Sequence, residues 1–137
     1  MPRALIVNPE QTSRFSARLL LENLGFEVLA VSAGTDALGH LLRGGVDLVL
    51  LDAMIDGGDP FGLIGTIAAF GTTRPCVIFT TGTANSAMVN EALEAGADDY
   101  LIGAFGRDVL AFKLVQAQSG GFLNTDLPVI DQLRKTA

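Results

Sequence analysis

The sequence predicts a doubly wound α/β domain, with five parallel strands in one sheet and helices on both faces. Three observations carry this. Short apolar runs rich in branched residues recur five times, and each is followed by a stretch whose apolar residues fall at helical spacing. The runs are almost continuously apolar rather than alternating, as strands are when both faces are buried. Glycine, asparagine or proline interrupts the pattern at the junctions. Such alternation favours a parallel sheet, and right-handed crossovers leave few ways to wind it.

The first strand is read at residues 4–7 (Ala-Leu-Ile-Val), stopped by Asn8-Pro9. A helix follows over 11–24, with Phe15, Leu19, Leu20 and Leu24 as its apolar face, Arg14, Arg18 and Glu22 on another, Thr12 or Ser13 as cap and Gly25 as stop. The second strand is 27–31. Its helix, 35–43, repeats the pattern through Ala37, Leu38, Leu41 and Leu42 and ends at Gly44-Gly45. The third strand, 46–51, runs into Asp52. The helix over 61–70 contains Gly62 and Gly65, each about 1 kcal/mol worse than alanine in a helix. The fourth strand is 76–79, followed by a helix over 86–95 with Asn85 as cap and Gly96 as stop. The fifth strand is 100–102, and the last helix is 108–118, with Val109, Leu110, Phe112, Leu114 and Val115 apolar.

Composition bounds the function. The chain has 137 residues, 49% hydrophobic and 18% charged. That is enough for one domain with a core and too apolar for disorder. The longest uncharged run, 75–90, is interrupted by hydroxyl, amide and glycine residues, so no membrane span is expected. Met1, Pro2 and Arg3 run straight into the first strand, so no leader is expected. The lone cysteine, Cys76, allows no internal disulfide and fits a cytoplasmic protein with an inert buried thiol. A net charge of −6 argues against direct nucleic-acid binding.

In an open parallel sheet the working site lies beyond the carboxyl ends of the strands. The residues there are Asn8, Pro9, Glu10, Asp52, Thr80, Thr81 and Gly103. Residues 46–52 (VDLVLLD), 75–81 (PCVIFTT) and 94–101 (EAGADDYL) together resemble the receiver domain of bacterial response regulators, the flavodoxin-like fold of the chemotaxis regulator. The resemblance covers residues 4 to about 118. It implies a receiver-like domain over 1–118, a partly ordered extension over 119–137 and no separate output domain.

The resemblance also implies roles. Asp52 stands where the family accepts a phosphoryl group. Thr80 stands at the hydroxyl position and Tyr100 at the aromatic switch position. The family holds magnesium with two acids after the first strand; here they are Asn8 and Pro9. The family's lysine and following proline are Gly103 and Ala104 here, so a trans bond and a reshaped loop are expected. The expectation is a degenerate receiver, or pseudo-receiver. It would be a signalling module of a two-component phosphorelay, not an enzyme beyond self-catalysed phosphoryl acceptance at Asp52. It would act through contacts with a histidine kinase or a downstream regulator. No metal or cofactor is expected. The alternative is an active receiver phosphorylated on Asp52 by a histidine kinase, with magnesium on Asp52, Glu10 and Asn8. A third reading, a flavodoxin-like binder of a small molecule, uses the room left by Gly103.

Other features read more plainly. Glu10 and Asp56 are expected to be solvated or capping carboxylates, and Asp56-Gly57-Gly58-Asp59 a turn. His40 lacks the partners of a zinc site. Asp98-Asp99 reads as a solvated turn, and Arg14 with Arg18 as a solvated face. Residues 60–90 carry one charge, Arg74, in 31 positions. Surface helices normally carry more. This stretch is therefore either a close-packed surface of small residues or a homodimer or partner surface.

Overall fold

In a computed structural model, residues 1–123 of the 137 are described. The apolar runs form β1 (Arg3–Val7), β2 (Glu27–Val31), β3 (Leu48–Asp52), β4 (Cys76–Thr81) and β5 (Asp99–Ile102). All pair in parallel in the order β2-β1-β3-β4-β5. Between them lie α1 (Gln11–Asn23), α2 (Gly34–Arg43), α3 (Pro60–Ala68), α4 (Ser86–Ala95) and α5 (Arg107–Ser119). A single 3-10 turn spans Gly71–Thr73.

Strand side chains alternate between two cores. Ile6, Leu50 and Ile78 face α1 and α5, where Leu21, Leu24, Leu110 and Leu114 meet them. Leu5, Val49, Val77 and Phe79 face the other way, onto Leu41 of α2, Ile64 and Ile67 of α3 and Ala92 of α4. Phe79 is fully buried, with its ring centroid 5.8 Å from that of Phe61. Truncating such a side chain to alanine costs about 3–5 kcal/mol. The chain reverses its winding between β1 and β3, which opens a crevice at their carboxyl ends.

Two faces differ from the sequence expectation. On α1 the inward residues are Ala17 and Leu21, whereas Phe15 and Leu19 are 61% and 52% exposed. On α5, Leu110, Ala111, Leu114 and Ala117 are buried, while Val109 and Phe112 face outward. Small side chains let a helix approach the sheet, so size alone misidentifies the inner stripe. Leu42 of α2 is exposed for the same reason.

Asn85 caps α4 by accepting the Met88 N–H, and Gly96 ends it. Gly96 is required there. Its φ is +127°, and a Cβ would lie 2.9 Å from the Ala68 Cβ of α3. The cap of α1 is Glu10, not Thr12 or Ser13, whose amides are instead the donors to it.

Asp98-Asp99 is not a solvated turn. Asp98 pairs with Arg74, and Asp99 accepts from Lys113 and from the Tyr100 N–H. Arg14 and Arg18 are half-buried and donate to the carbonyls of Asn8 and Val28. His40 is half-buried, with its Nδ1 3.4 Å from the Arg43 guanidinium.

The outer face of α3 is Gly62, Gly65 and Thr66, continued by Ala69 just past its end. Every large apolar side chain in residues 60–90 is buried or half-buried. Of the expected extension, Leu123 is buried against the α1/α5 core. Residues 124–137, including Leu127-Pro128-Val129-Ile130, lie outside the described residues. Among the described residues no helix is long and apolar enough to cross a membrane.

Candidate functional site

The carboxyl ends of β1, β3, β4 and β5 meet in a cleft of about 410 Å³. Its polar side is built strand by strand. Asp52 closes β3, and its register partner on β4 is Thr80. The Thr80 hydroxyl donates to Asp52 Oδ1 at 3.0 Å, and the Met54 N–H donates to Oδ2 at 2.9 Å. The Ala53 N–H donates to the Thr80 carbonyl at 2.8 Å, so the loop after Asp52 is tied to the neighbouring strand.

The segment after β1 is occupied with its own backbone. Asn8 Oδ1 accepts the Glu10 N–H at 2.9 Å. Pro9 has no donor or acceptor side chain. Glu10 turns onto α1, where Oε1 takes the Thr12 N–H at 3.1 Å and Oε2 takes the Ser13 N–H at 2.7 Å and also the Ser13 hydroxyl. The Ser13 hydroxyl and then the Ser13 amide hold the Glu10 carboxyl below the usual carboxylate range.

After β5 the Gly103 N–H donates to the Thr81 carbonyl at 2.7 Å. Gly103 has φ +73°, and a Cβ built there would touch nothing within 4 Å. The peptide bond to Ala104 is trans, as expected. Tyr100 is half-buried one strand further out, in register with Phe79. The Lys113 Nζ lies 4.6 Å from its ring centroid and 2.8 Å from Asp99 Oδ1.

The cleft thus brings together Asn8, Asp52, Thr80, Gly103 and Ala104. Pro9, Glu10, Asp56 and Tyr100 do not line it. Asp56 is held by backbone bonds to Ser32 and Gly34, and Asp59 caps α3 through the Phe61 N–H. Sequence reasoning missed the wall from α1. Thr12, Ser16 and Leu20, with Ser13 and Ala17, form a stripe at i, i+4 spacing that faces the strand ends. Beneath it lie Ile6, Leu50 and Phe105. Among the described residues Asp52 is the only ionisable group that lines the cleft, and no described lysine, arginine or histidine does.

Cys76 is fully buried. Burial, and secondarily Asp98, pushes its thiol far above the usual range.

The family model for the response regulator receiver domain matches residues 4–114. The chain is similar to the transcriptional regulatory protein PcoR of Escherichia coli, with 38% identity over 106 residues, covering 77% of this chain and 46% of that one. It is also similar to the transcriptional regulatory protein CseB of Streptomyces avermitilis, with 34% identity over 110 residues, covering 80% and 46%. The chain spans about half the length of these relatives. Among solved structures, a two-component response regulator from Clostridium difficile superposes with a TM-score of 0.79 at 22% identity, covering 87% and 97%. The receiver domain of a sensor histidine kinase from Pseudomonas aeruginosa, with magnesium coordinated in its active-site cleft, superposes with a TM-score of 0.75 at 26% identity, covering 84% and 95%.

Proposed function

Because this chain belongs to the response regulator receiver domain family, and is thereby a receiver-fold module of two-component signalling, we propose that it works mainly through protein contacts, with magnesium-dependent phosphorylation of Asp52 impaired. The partners would be a histidine kinase or a downstream regulator.

The observation that carries this reading is the charge of the cleft: one carboxylate and no cation among its lining residues. A carboxylate attacking an anionic phosphoryl group meets repulsion. Catalysis of that transfer is therefore mainly positioning and charge stabilisation by metal ions and cationic side chains. Gly103 supplies neither a charge nor a side chain. The residues present do not fit magnesium well. Magnesium wants oxygen ligands in octahedral geometry. Asn8 offers one neutral oxygen, which accepts the Glu10 N–H, Pro9 has no side-chain ligand, and the Glu10 carboxylate is turned onto α1 away from the cleft lining. Among the described residues Asp52 is the one carboxylate that lines the cleft.

The test is incubation with magnesium and a small phosphodonor such as phosphoramidate, read by intact mass. The expected result is little or no phosphate adduct. A stoichiometric adduct that disappears in Asp52→Asn overturns the reading, as does magnesium binding at sub-millimolar concentration by calorimetry.

The active-receiver reading keeps one observation in its favour. Thr80 and Asp52 stand in register with a direct hydrogen bond, so acceptor and hydroxyl are aligned. The phosphodonor experiment decides between the two.

A further inference from the structure

We propose that the cleft is a binding site for a small organic cation, a primary ammonium on a short apolar body. The ammonium would sit on Asp52 and the body between α1 and the loop after β5. The inference rests on the metal-free reading of the same cleft and adds an occupant to it.

Size comes first. The cleft's volume of about 410 Å³ lies within the range of small-molecule sites, roughly 300–1,000 Å³. Gly103 is part of the lining and presents no side chain to it, and a Cβ there would meet no atom within 4 Å. The lining is divided. Ile6, Ala17, Leu20, Leu50 and Phe105 make an apolar floor, and Asp52 stands at one end. An apolar body with one polar head matches that division.

Charge decides the head. Among the described residues Asp52 is the only ionisable lining group, so an anionic ligand is repelled and a neutral one leaves the carboxylate without a counter-charge. Each Asp52 oxygen accepts one hydrogen bond from the protein, Oδ1 from Thr80 and Oδ2 from Met54. A carboxylate oxygen has a second lone pair, so both can accept one more. A compact ammonium has three donors and can take either remaining acceptor position.

The test uses the full chain and three probes of equal length: hexylamine, 1-hexanol and hexanoate. Binding is measured by calorimetry and ligand-detected NMR on the wild type, Asp52→Asn and Ser16→Phe. Ser16 is exposed on α1, so phenylalanine there blocks the cleft mouth without touching the core. The expected result is saturable hexylammonium binding at least about tenfold tighter than 1-hexanol, with no measurable binding of hexanoate. Asp52→Asn should abolish the amine preference, and Ser16→Phe should abolish binding. Equal affinity for amine and alcohol, binding indifferent to Asp52→Asn, or non-saturable uptake overturns the proposal. A phosphate adduct on Asp52 overturns the metal-free reading beneath it. Absence of both adduct and amine binding overturns only the ligand.

Discussion

Arg74 closes a two-point ion pair on Asp98, with Nη1 2.9 Å from Oδ2 and Nη2 2.6 Å from Oδ1. Asp98 Oδ2 also accepts the Val77 N–H at 2.9 Å. One carboxylate thus ties the turn before β4 to the turn before β5. Hydrogen bonding to Asp98 raises the Arg74 pKa above its ordinary value. The Asp98 side chain is only 5% exposed, but that of Arg74 is 24% exposed, so solvent screens part of the attraction.

Asp98→Ala is expected to destabilise the fold by about 2–3 kcal/mol. It strands the Val77 amide and leaves a half-buried guanidinium without its partner. Urea unfolding measures this. A loss below about 1 kcal/mol would mean that water replaces the carboxylate at no cost. Arg74→Met should cost less than Asp98→Ala, because the carboxylate keeps its Val77 bond.

Glu10 makes stability depend on acid. Its folded-state carboxyl titrates below its ordinary value of 4.5. A depressed carboxyl stabilises the fold in its ionised form. That contribution is complete above about pH 4.5 and is lost as pH falls through the lower folded-state value. The wild type should therefore be more stable than Glu10→Gln at pH 7, and the gap should close as the pH is taken progressively below 4.5. A gap independent of pH would show that the cap works without its charge.

Tyr100 is the sole tyrosine and the chain has no tryptophan, so its fluorescence reports one ring. Lys113→Met removes the ammonium from that ring and from Asp99. The emission should change while stability falls by about 1–2 kcal/mol, the sum of a cation–π contact and a partly buried ion pair. Unchanged emission would mean that the lysine does not hold the ring in solution.

The Cys76 thiol should resist alkylation in the native protein at pH 8 and react once the chain is unfolded. Burial both blocks access and disfavours the thiolate that reacts. Rapid native-state labelling would contradict the packing of β4.

Strand interiors were legible because each is an apolar run long enough to cross the sheet. Both ends of α4 were legible because Asn85 and Gly96 act within a few residues of themselves. What the sequence hid was relational. Asp98 is 24 residues from Arg74, so its pairing cannot be read locally. The inner stripe of α1 contains Ala17 rather than the larger Phe15, because closeness to the sheet outweighs side-chain size. In the site, the changes at Asn8, Pro9 and Gly103 were visible from their order along the chain. The α1 wall of Thr12, Ser16 and Leu20 was not, because hydroxyl and small residues on a helix look like its solvent side until the strands beneath them are known.

Gly103 sets the terms on which a cationic side chain could be built into the cleft. With φ at +73°, its backbone sits where L-residues pay a steric penalty of about 1–2 kcal/mol. A lone Gly103→Lys change would meet that strain at once. It would gain no metal in return, because Asn8 and Pro9 would still stand where acids would be needed. The backbone at Gly103 thus resists the substitution that would set a positive charge just beyond the end of β5.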